Sequence, residues 1–126
     1  MISTLLKHYK VESVKMKYKS MKDHAYYNVD NGTMELSTRY KTLKSNEVKE
    51  FLITMVHEIK HAMDSKKYGW RKIKDMWEYE ANMISGGHVG GKTDPYKDNP
   101  YEVEAEKFGQ DNWKKWHTQF KKEGLI

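Results

Sequence analysis

The stretch from Val48 to Met63 constrains the fold more than any other part of the sequence. Apolar residues recur there at steps of three and four, at Val48, Phe51, Leu52, Met55, Val56, Ile59 and Met63. This spacing puts them on one face of an α-helix. Ser45 or Asn46 is suited to cap the start of the helix, and Gly69 is suited to end it after Tyr68. We therefore predict a long amphipathic helix whose apolar face packs against the rest of the chain.

The rest of the chain predicts a small sheet and further helices. Residues 1–10 fit a short helix. Apolar and polar residues alternate over Val11–Met21, which indicates a strand. The segment Ala25–Tyr40 predicts a hairpin that turns at Asp30, Asn31 and Gly32. Helical spacing returns over Ile73–Ile84 and over Tyr101–Lys122. Between these two helices, the stretch GGHVGGKTDPYKDNP is rich in Gly and Pro and predicts a loop.

These elements predict an α+β fold, with a small twisted antiparallel or mixed sheet packed on the long helix and on two further helices. The length of 126 residues fits one domain, residues 1–126. The start of the chain does not have the apolar run of a signal peptide, and no run of about 18 apolar residues suggests a membrane span. We therefore expect a cytoplasmic protein without a membrane partner.

Charge and cysteine content narrow the chemistry. The chain contains no Cys, so any metal site must use His and carboxylate ligands. The formal net charge is +5, which would suit a nucleic-acid partner. Lys is spread along the whole chain, however, and a solvated surface explains this charge better than a nucleic-acid site does.

The long helix carries the main chemical signal, the HExxH motif formed by residues 57–61. His57 and His61 are four residues apart, so both imidazoles lie on one helix face and can converge on one metal ion. Glu58 projects beside them, where it can act as the general base of hydrolysis without being a ligand. The motif therefore predicts a metal site with Glu58 as its catalytic residue.

A catalytic zinc site usually has a third protein ligand, and two carboxylates compete for that place. Glu104 lies nearest the predicted stripe of Tyr101, Ala105 and Phe108, whereas Glu102 and Glu106 are predicted to point toward solvent. Glu80 is the rival, because it lies within the apolar stripe of the preceding helix. From the residues alone, both Glu104 and Glu80 remain candidates.

The sequence resembles the zincin group of zinc metallopeptidases, and in particular the compact, glutamate-liganded kind often encoded by bacteria and their phages. The matching segments are GTMEL, HEIKHAMD and NPYEVEAEKFG, within about residues 32–109. In such families, a Glu directly before Ala in a later helix completes the zinc site. The resemblance therefore implies Zn²⁺ as the cofactor, with His57, His61 and Glu104 as its ligands, and favours Glu104 over Glu80.

The resemblance also implies a reaction and a substrate position. Glu58 would take a proton from a water that the zinc activates, and an extended protein or peptide would lie along an edge strand at Met34–Thr38. Tyr79, Tyr96, Tyr101 and His88 are candidates for stabilising the oxyanion.

We expect a metallopeptidase, and an endopeptidase rather than an exopeptidase. The alternative is a non-catalytic protein that keeps the zincin scaffold and binds a host protein or nucleic acid.

Overall fold

The computed structural model describes all of residues 1–126 and shows the predicted α+β architecture. The chain forms a short helix α1 (Ile2–His8), then strands β1 (Lys15–Lys19), β2 (Ala25–Asn28) and β3 (Thr33–Ser37). Three longer helices follow: α2 (Val48–Tyr68), α3 (Trp70–Ser85) and α4 (Pro100–Lys122). The predicted helices are all present, but both predicted strand regions are shorter than expected.

The three strands form a mixed sheet in the order β1-β3-β2. β3 pairs in parallel with β1 and antiparallel with β2. The β2–β3 hairpin turns where predicted, and Gly32 adopts a φ of +65°, which glycine tolerates without steric cost. The prediction that Met34–Thr38 is an edge strand is wrong, because β3 lies at the centre of the sheet. The edge strand on the antiparallel side is β2.

Helix α2 is the central element of the fold. Its apolar face packs between the sheet and α4, with Leu52, Met55, Val56 and Ile59 fully buried. α4 contributes Trp116 and Phe120 to the same core, and β3 contributes Met34 and Leu36. The helix ends at Tyr68 before Gly69, as predicted, but its start differs. Residues Ser45–Glu47 form a 3-10 turn and no side chain caps α2.

Helix α4 starts with two features that hold its first turn in place. The Asn99 side chain accepts a hydrogen bond from the backbone N–H of Tyr101, at 3.1 Å, and Pro100 occupies the first turn, where a missing N–H costs nothing. Asn99 is fully buried, and its amide also donates to the Trp77 carbonyl of α3, at 3.0 Å. The start of α4 is therefore tied to α3 and kept close to α2.

None of the helices is both long enough and apolar enough to cross a bilayer.

Candidate metal centre

The two motif histidines lie side by side on α2 and face the first turn of α4. Their ring centroids are 5.0 Å apart. The Nε2 atoms of His57 and His61 lie 3.0 Å and 3.2 Å from Oε2 of Glu102. His57, His61 and Glu102 each offer one ligand atom, and these atoms all lie within 4.8 Å of one another. The residues converge as a group that could hold a metal ion.

The third member of this group differs from the sequence-based prediction. Glu104 does not approach the histidines: its side chain is 62% exposed and pairs with Lys60, at 3.5 Å. Glu80, the rival candidate, does not join the group either. Glu102, which was predicted to point toward solvent, is only 8% exposed. The structure therefore brings Glu102, and not the predicted Glu104, to the two histidines.

The rotation of α4 explains this correction. At about 100° per residue, Glu102 and Phe120 are eighteen residues and five full turns apart, so they share one helical position. Phe120 is fully buried, and Trp116 and Ala105 lie on nearly the same line. Glu104 lies on the far side of the helix from them. A stripe centred on Trp116 and Phe120, instead of on Tyr101 and Phe108, would have identified Glu102.

The spacing of the ligand atoms fits a small metal ion. Zinc bonds to His nitrogen and carboxylate oxygen are about 2.0–2.1 Å long, so tetrahedral ligand atoms lie about 3.3 Å apart. The two N···O distances of 3.0 Å and 3.2 Å are close to that value. Two imidazoles and one carboxylate are also a common ligand set of catalytic zinc. Two of the three separations between ligand atoms are therefore close to those around a bound zinc ion.

Neighbouring groups hold the ligands in their orientations. The Trp77 indole N–H of α3 donates to Oε1 of Glu102, at 3.2 Å. Nδ1 of His57, the nitrogen that faces away from the other ligands, lies 3.0 Å from Oε2 of Glu106. Such partners fix the ring orientation of a ligating histidine. Trp77 and Glu106 therefore support the centre without belonging to it.

The close approach of the histidines and carboxylates shifts their pKa values. Burial would lower the pKa of His57, but hydrogen bonds to Glu102 and the charge of Glu58 outweigh it and raise that pKa to about 9. Burial would raise the pKa of Glu102, yet hydrogen bonds from His57 and His61 hold it well below its usual range. Hydrogen bonds from the two histidines thus compensate the buried carboxylate.

Glu58 lies beside the ligands but does not join them. It is 7% exposed, and burial raises the pKa of its carboxyl, although the nearby His61 and His57 oppose that effect. The side chain lines two cavities. This is the position that the motif predicts for a base next to a metal.

The first cavity, which we call the polar groove, has a volume of about 870 Å³ and lies between β2, α2 and α4. The segment Asp23–Tyr26 lines one side of the groove, and Glu106 and Gln110 line the other. His57 and Glu58 lie in its wall. The free edge of β2 therefore borders the candidate metal centre.

The second cavity, the aromatic pocket, has a volume of about 380 Å³ and lies on the His61 side of the centre. Tyr26, Glu58 and Tyr96 line both cavities. The candidate centre thus has space on two sides.

The loop between α3 and α4 carries one of the four oxyanion candidates to the centre. Tyr96 is 57% exposed but lines both cavities, and its partial burial together with the nearby Glu102 and Glu58 carboxylates raises its pKa. Of the two cavities, Tyr101 lines only the aromatic pocket. Neither Tyr79 nor His88 lines either cavity. Among the four, Tyr96 is the residue that the fold brings beside Glu58.

Comparisons of the chain with models of protein families, with curated proteins and with solved structures give no match.

Proposed function

We propose that this protein is a zinc-dependent endopeptidase. The observation that carries the proposal is the convergence of His57, His61 and Glu102 at an open groove, with Glu58 buried beside them. A structural metal site usually has four protein ligands and is closed to solvent, whereas a catalytic site has three and an open position. Three ligands in a cavity wall therefore favour hydrolysis over a structural role. The resemblance of the HExxH segment to compact zincins agrees with this proposal, whereas the third ligand that the resemblance implied, Glu104, is replaced by Glu102.

In the proposed site, His57 and His61 bind zinc through Nε2, and Glu102 binds it through a carboxylate oxygen. Zinc, when bound there, lowers the pKa of water to about 7 and polarises the carbonyl of the bond to be cleaved. Trp77 and Glu106 keep Glu102 and His57 in their ligating orientations through the hydrogen bonds described above.

Glu58 serves as the general base and acid in this mechanism. Its carboxylate takes a proton from the water that attacks the peptide carbonyl, and then gives the proton to the departing amine nitrogen. A base must lie within hydrogen-bonding reach of the proton that it removes. The place of Glu58 in the walls of both cavities supports this role, since a bond bound between them would lie next to it.

Tyr96 is the proposed donor to the oxyanion. A hydroxyl that is protonated at neutral pH can donate to the negative oxygen that develops on the carbonyl. Burial and the neighbouring carboxylates raise the pKa of Tyr96, which keeps its proton in place. Its position in the walls of both cavities supports this assignment over Tyr79, Tyr101 and His88.

The free edge of β2 is the proposed support for an extended peptide. β2 pairs only with β3, so one side of Ala25–Asn28 has backbone groups that can pair with an added strand. Cavities on both sides of the candidate centre leave room for substrate before and after the cleaved bond. An exopeptidase would instead need one side closed around a chain end. The arrangement therefore favours internal cleavage.

The decisive experiment compares zinc-loaded wild-type protein with Glu58→Gln on a mixture of peptides, read by mass spectrometry. We expect the variant to retain one equivalent of zinc and to lose activity at least about 100-fold, since it lacks the base. Glu104→Gln is the matched control and should retain both zinc and activity, because Glu104 is exposed and pairs only with Lys60.

Two outcomes would contradict the proposal. Full activity of Glu58→Gln would exclude the general-base role of that residue. Zinc-loaded wild-type protein that cleaves no peptide would instead favour the non-catalytic binding scaffold.

A further inference from the structure

The junction between α2 and α3 combines positive charge with exposed aromatic rings. Residues 66–72, which we call the basic corner, read KKYGWRK and contain three lysines and one arginine but no carboxylate. Tyr68 is 44% exposed, and Trp70 is 39% exposed. Lys is spread along the whole sequence, yet the fold leaves this part of the positive charge next to two accessible rings.

The cations of the basic corner are not neutralised within the protein. None of the four forms an ion pair with a carboxylate, and Asp75, the next carboxylate along α3, pairs with none of them. Other lysines on the same two helices are paired. Lys60 of α2 lies 2.6 Å from Asp64, and Lys74 of α3 lies 3.3 Å from Asp30. The positive potential of the corner is therefore available to an anion from outside the chain.

A cavity of about 720 Å³, the basic cavity, opens beside the corner. Five lysines line it: Lys10, Lys60, Lys66, Lys67 and Lys72. Two carboxylates also line it, Asp64 and Glu104, and both pair with Lys60. The other four lysines have no acidic partner. The Tyr68 ring lies in the same wall, so the corner and the cavity form one continuous surface.

Cations lie over the faces of both exposed rings of the corner. The ammonium groups of Lys67 and Lys72 lie 5.0 Å and 5.7 Å from the centroid of the Tyr68 ring. The guanidinium carbon of Arg71 lies 5.1 Å from that of the Trp70 ring. Cations of this kind bind phosphate, and exposed rings stack on unpaired bases. Alternating cations and rings are therefore the surface that a single nucleic-acid strand requires.

Lys10 adds an ammonium group at a position that is unfavourable for lysine. It follows α1 with a φ of +59°, in the left-handed region that favours glycine. The backbone N–H of Val11 donates to the Leu6 carbonyl at 2.9 Å, as in a Schellman motif, where glycine is the usual residue. The Lys10 carbonyl accepts a hydrogen bond from the Lys66 ammonium at 2.6 Å. The chain thus carries a cation beside the cavity at the expense of backbone stability.

We propose that the basic corner and the basic cavity bind single-stranded nucleic acid. The cations contact phosphates, and Tyr68 and Trp70 stack on unpaired bases. A duplex keeps its bases stacked inside, and an acidic peptide has no bases, so the exposed rings favour a single strand over either. A flexible strand can also enter the cavity, which a rigid duplex cannot.

This binding does not depend on the proposed peptidase reaction. The basic cavity shares no residue with the polar groove, and neither Glu58 nor any member of the candidate metal centre lines it. A strand bound at the basic corner therefore leaves the polar groove open.

The first test measures fluorescence anisotropy with a labelled thymidine strand of about 20 nucleotides, a duplex of the same length and a glutamate peptide. We expect the strand to bind most tightly. Its affinity should fall with salt, and the five unpaired cations, at about 0.7 each, limit the slope of log K against log[salt] to about −3.5. Equal or tighter binding of the duplex or the peptide, or no binding of the strand at low salt, would overturn the proposal.

The same titration with zinc and with a chelator locates the strand relative to the metal centre. We expect equal affinity in both, because no proposed ligand lines the basic cavity. Binding that required zinc would place the strand at the metal centre and would overturn the assignment to the basic corner.

Lys10→Gly separates loss of binding from loss of folding. It removes one ammonium group and relieves the positive φ, so stability should not fall, while affinity should fall severalfold and the salt slope should shrink by about 0.7. Lys44→Ala is the control for net charge. Lys44 is exposed and precedes α2, whose 21 residues place the corner about 30 Å away. Equal losses of affinity in the two variants would contradict a site at the corner.

Ring variants test the stacking contact. Trp70→Ala should weaken the strand at least about fivefold without changing the salt slope, because it removes a ring and no charge. Trp70→Phe should bind almost like the wild type, since phenylalanine also stacks on bases. Tyr79→Ala, at an exposed ring elsewhere on α3, is the control. Unchanged affinity in Trp70→Ala, or equal losses in Trp70→Ala and Trp70→Phe, would overturn the proposal.

Discussion

Glu102 lies on the side of α4 whose other side chains are apolar and buried. A carboxylate in such a place needs compensation, because burial of an unpaired charge is costly. Glu102 receives it from three groups: the two imidazoles of α2 and the indole of Trp77 on α3. The two imidazoles and the carboxylate also lie close enough together to share one metal ion. At the scale of single residues, this convergence is the feature on which the candidate metal centre depends.

The identity of the third ligand leads to the first prediction. Glu102→Gln should lower zinc affinity at least about 100-fold, since loss of a ligand exceeds the 10- to 100-fold cost of losing a supporting group. Glu104→Gln should bind zinc like the wild type. Elemental mass spectrometry and competition with a chelating dye measure both. If Glu104→Gln lost zinc and Glu102→Gln kept it, Glu104 would be the third ligand, as the sequence analysis expected.

At the scale of elements, the site depends on close packing of α2 against α4. Gly109 of α4 is buried, and a β-carbon at this position would lie 2.8 Å from the carbonyl oxygen of Ile53 on α2. The obstacle is backbone, which cannot rotate away as a side chain can. Gly109 thus lets the two helices approach, and the approach brings Glu102 to the histidines. A glycine inside a helical pattern is a sequence signal for such contacts.

This contact leads to the second prediction. Gly109→Ala would gain up to about 1 kcal/mol in helix propensity, but the clash should cost about 1–3 kcal/mol, so we expect a net loss of stability. Zinc affinity should fall as well, because the helices that carry the ligands are pushed apart. Urea unfolding and zinc competition measure the two effects. Lys114→Ala, at an exposed site of the same helix, is the control; an equal or greater stability of Gly109→Ala would disprove the clash.

The loop before α4 is an ordered element rather than a simple connection. The Asp98 carboxylate accepts hydrogen bonds from the backbone N–H groups of Thr93 and Asp94, both at 3.0 Å. The Asp94 carboxylate accepts from those of Tyr96 and Lys97, both at 2.9 Å. These bonds fix the turn on which Tyr96 stands. Asp94 and Asp98 therefore shape the loop.

The third prediction concerns the pH dependence of this loop. Hydrogen bonds from Asp94 and Thr93 lower the pKa of Asp98 below its usual value. A depressed carboxyl pKa stabilises the folded state above the pKa of the unfolded chain, and that contribution is lost as pH falls through the folded pKa. Asp98→Asn should therefore melt below the wild type near pH 6, and the gap should narrow below about pH 4. Thermal scans across this range measure the gap; a gap that does not depend on pH would contradict the prediction.

At the scale of the whole molecule, the candidate centre joins parts of the chain that are far apart in sequence. α2 and α4 carry the ligands, α3 supports Glu102 through Trp77, and the α3–α4 loop supplies Tyr96. The unfolded chain cannot keep these groups together. A metal that binds only the native arrangement must therefore stabilise the whole fold.

The fourth prediction follows from this linkage. Zinc at a free concentration of about 100 times its Kd should stabilise the protein by about 2.7 kcal/mol and raise its Tm by roughly 5–15 °C. A chelator should reverse the rise. Glu102→Gln should show almost no rise, whereas Glu104→Gln should respond like the wild type. Differential scanning calorimetry measures these shifts, and an unchanged Tm of wild-type protein in zinc would argue against a native metal site.

Local patterns in the sequence determined the helices and half of the candidate centre. The apolar spacing of α2 fixes which side of it is buried, and four residues are about one turn, so His57 and His61 must lie together on any helix. The hairpin likewise follows from Asp30, Asn31 and Gly32, because a tight turn needs residues that tolerate unusual backbone angles. Each of these inferences depends only on neighbours along the chain.

Tertiary structure alone decided the remainder. Glu102 replaces Glu104 because the rotation of α4 about its axis is set by how Ala105, Gly109, Trp116 and Phe120 pack on α2. β3 lies at the centre of the sheet because β1 pairs with it in parallel on the side opposite β2, and this leaves β2 as an edge strand. Tyr96 reaches the centre because the end of the α3–α4 loop is tied to α3, through the Asn99 hydrogen bond to the Trp77 carbonyl and the packing of the Tyr96 ring near that of Trp77. These features depend on how separate elements are placed relative to one another. The periodicity of residues within one element gives no information about that placement.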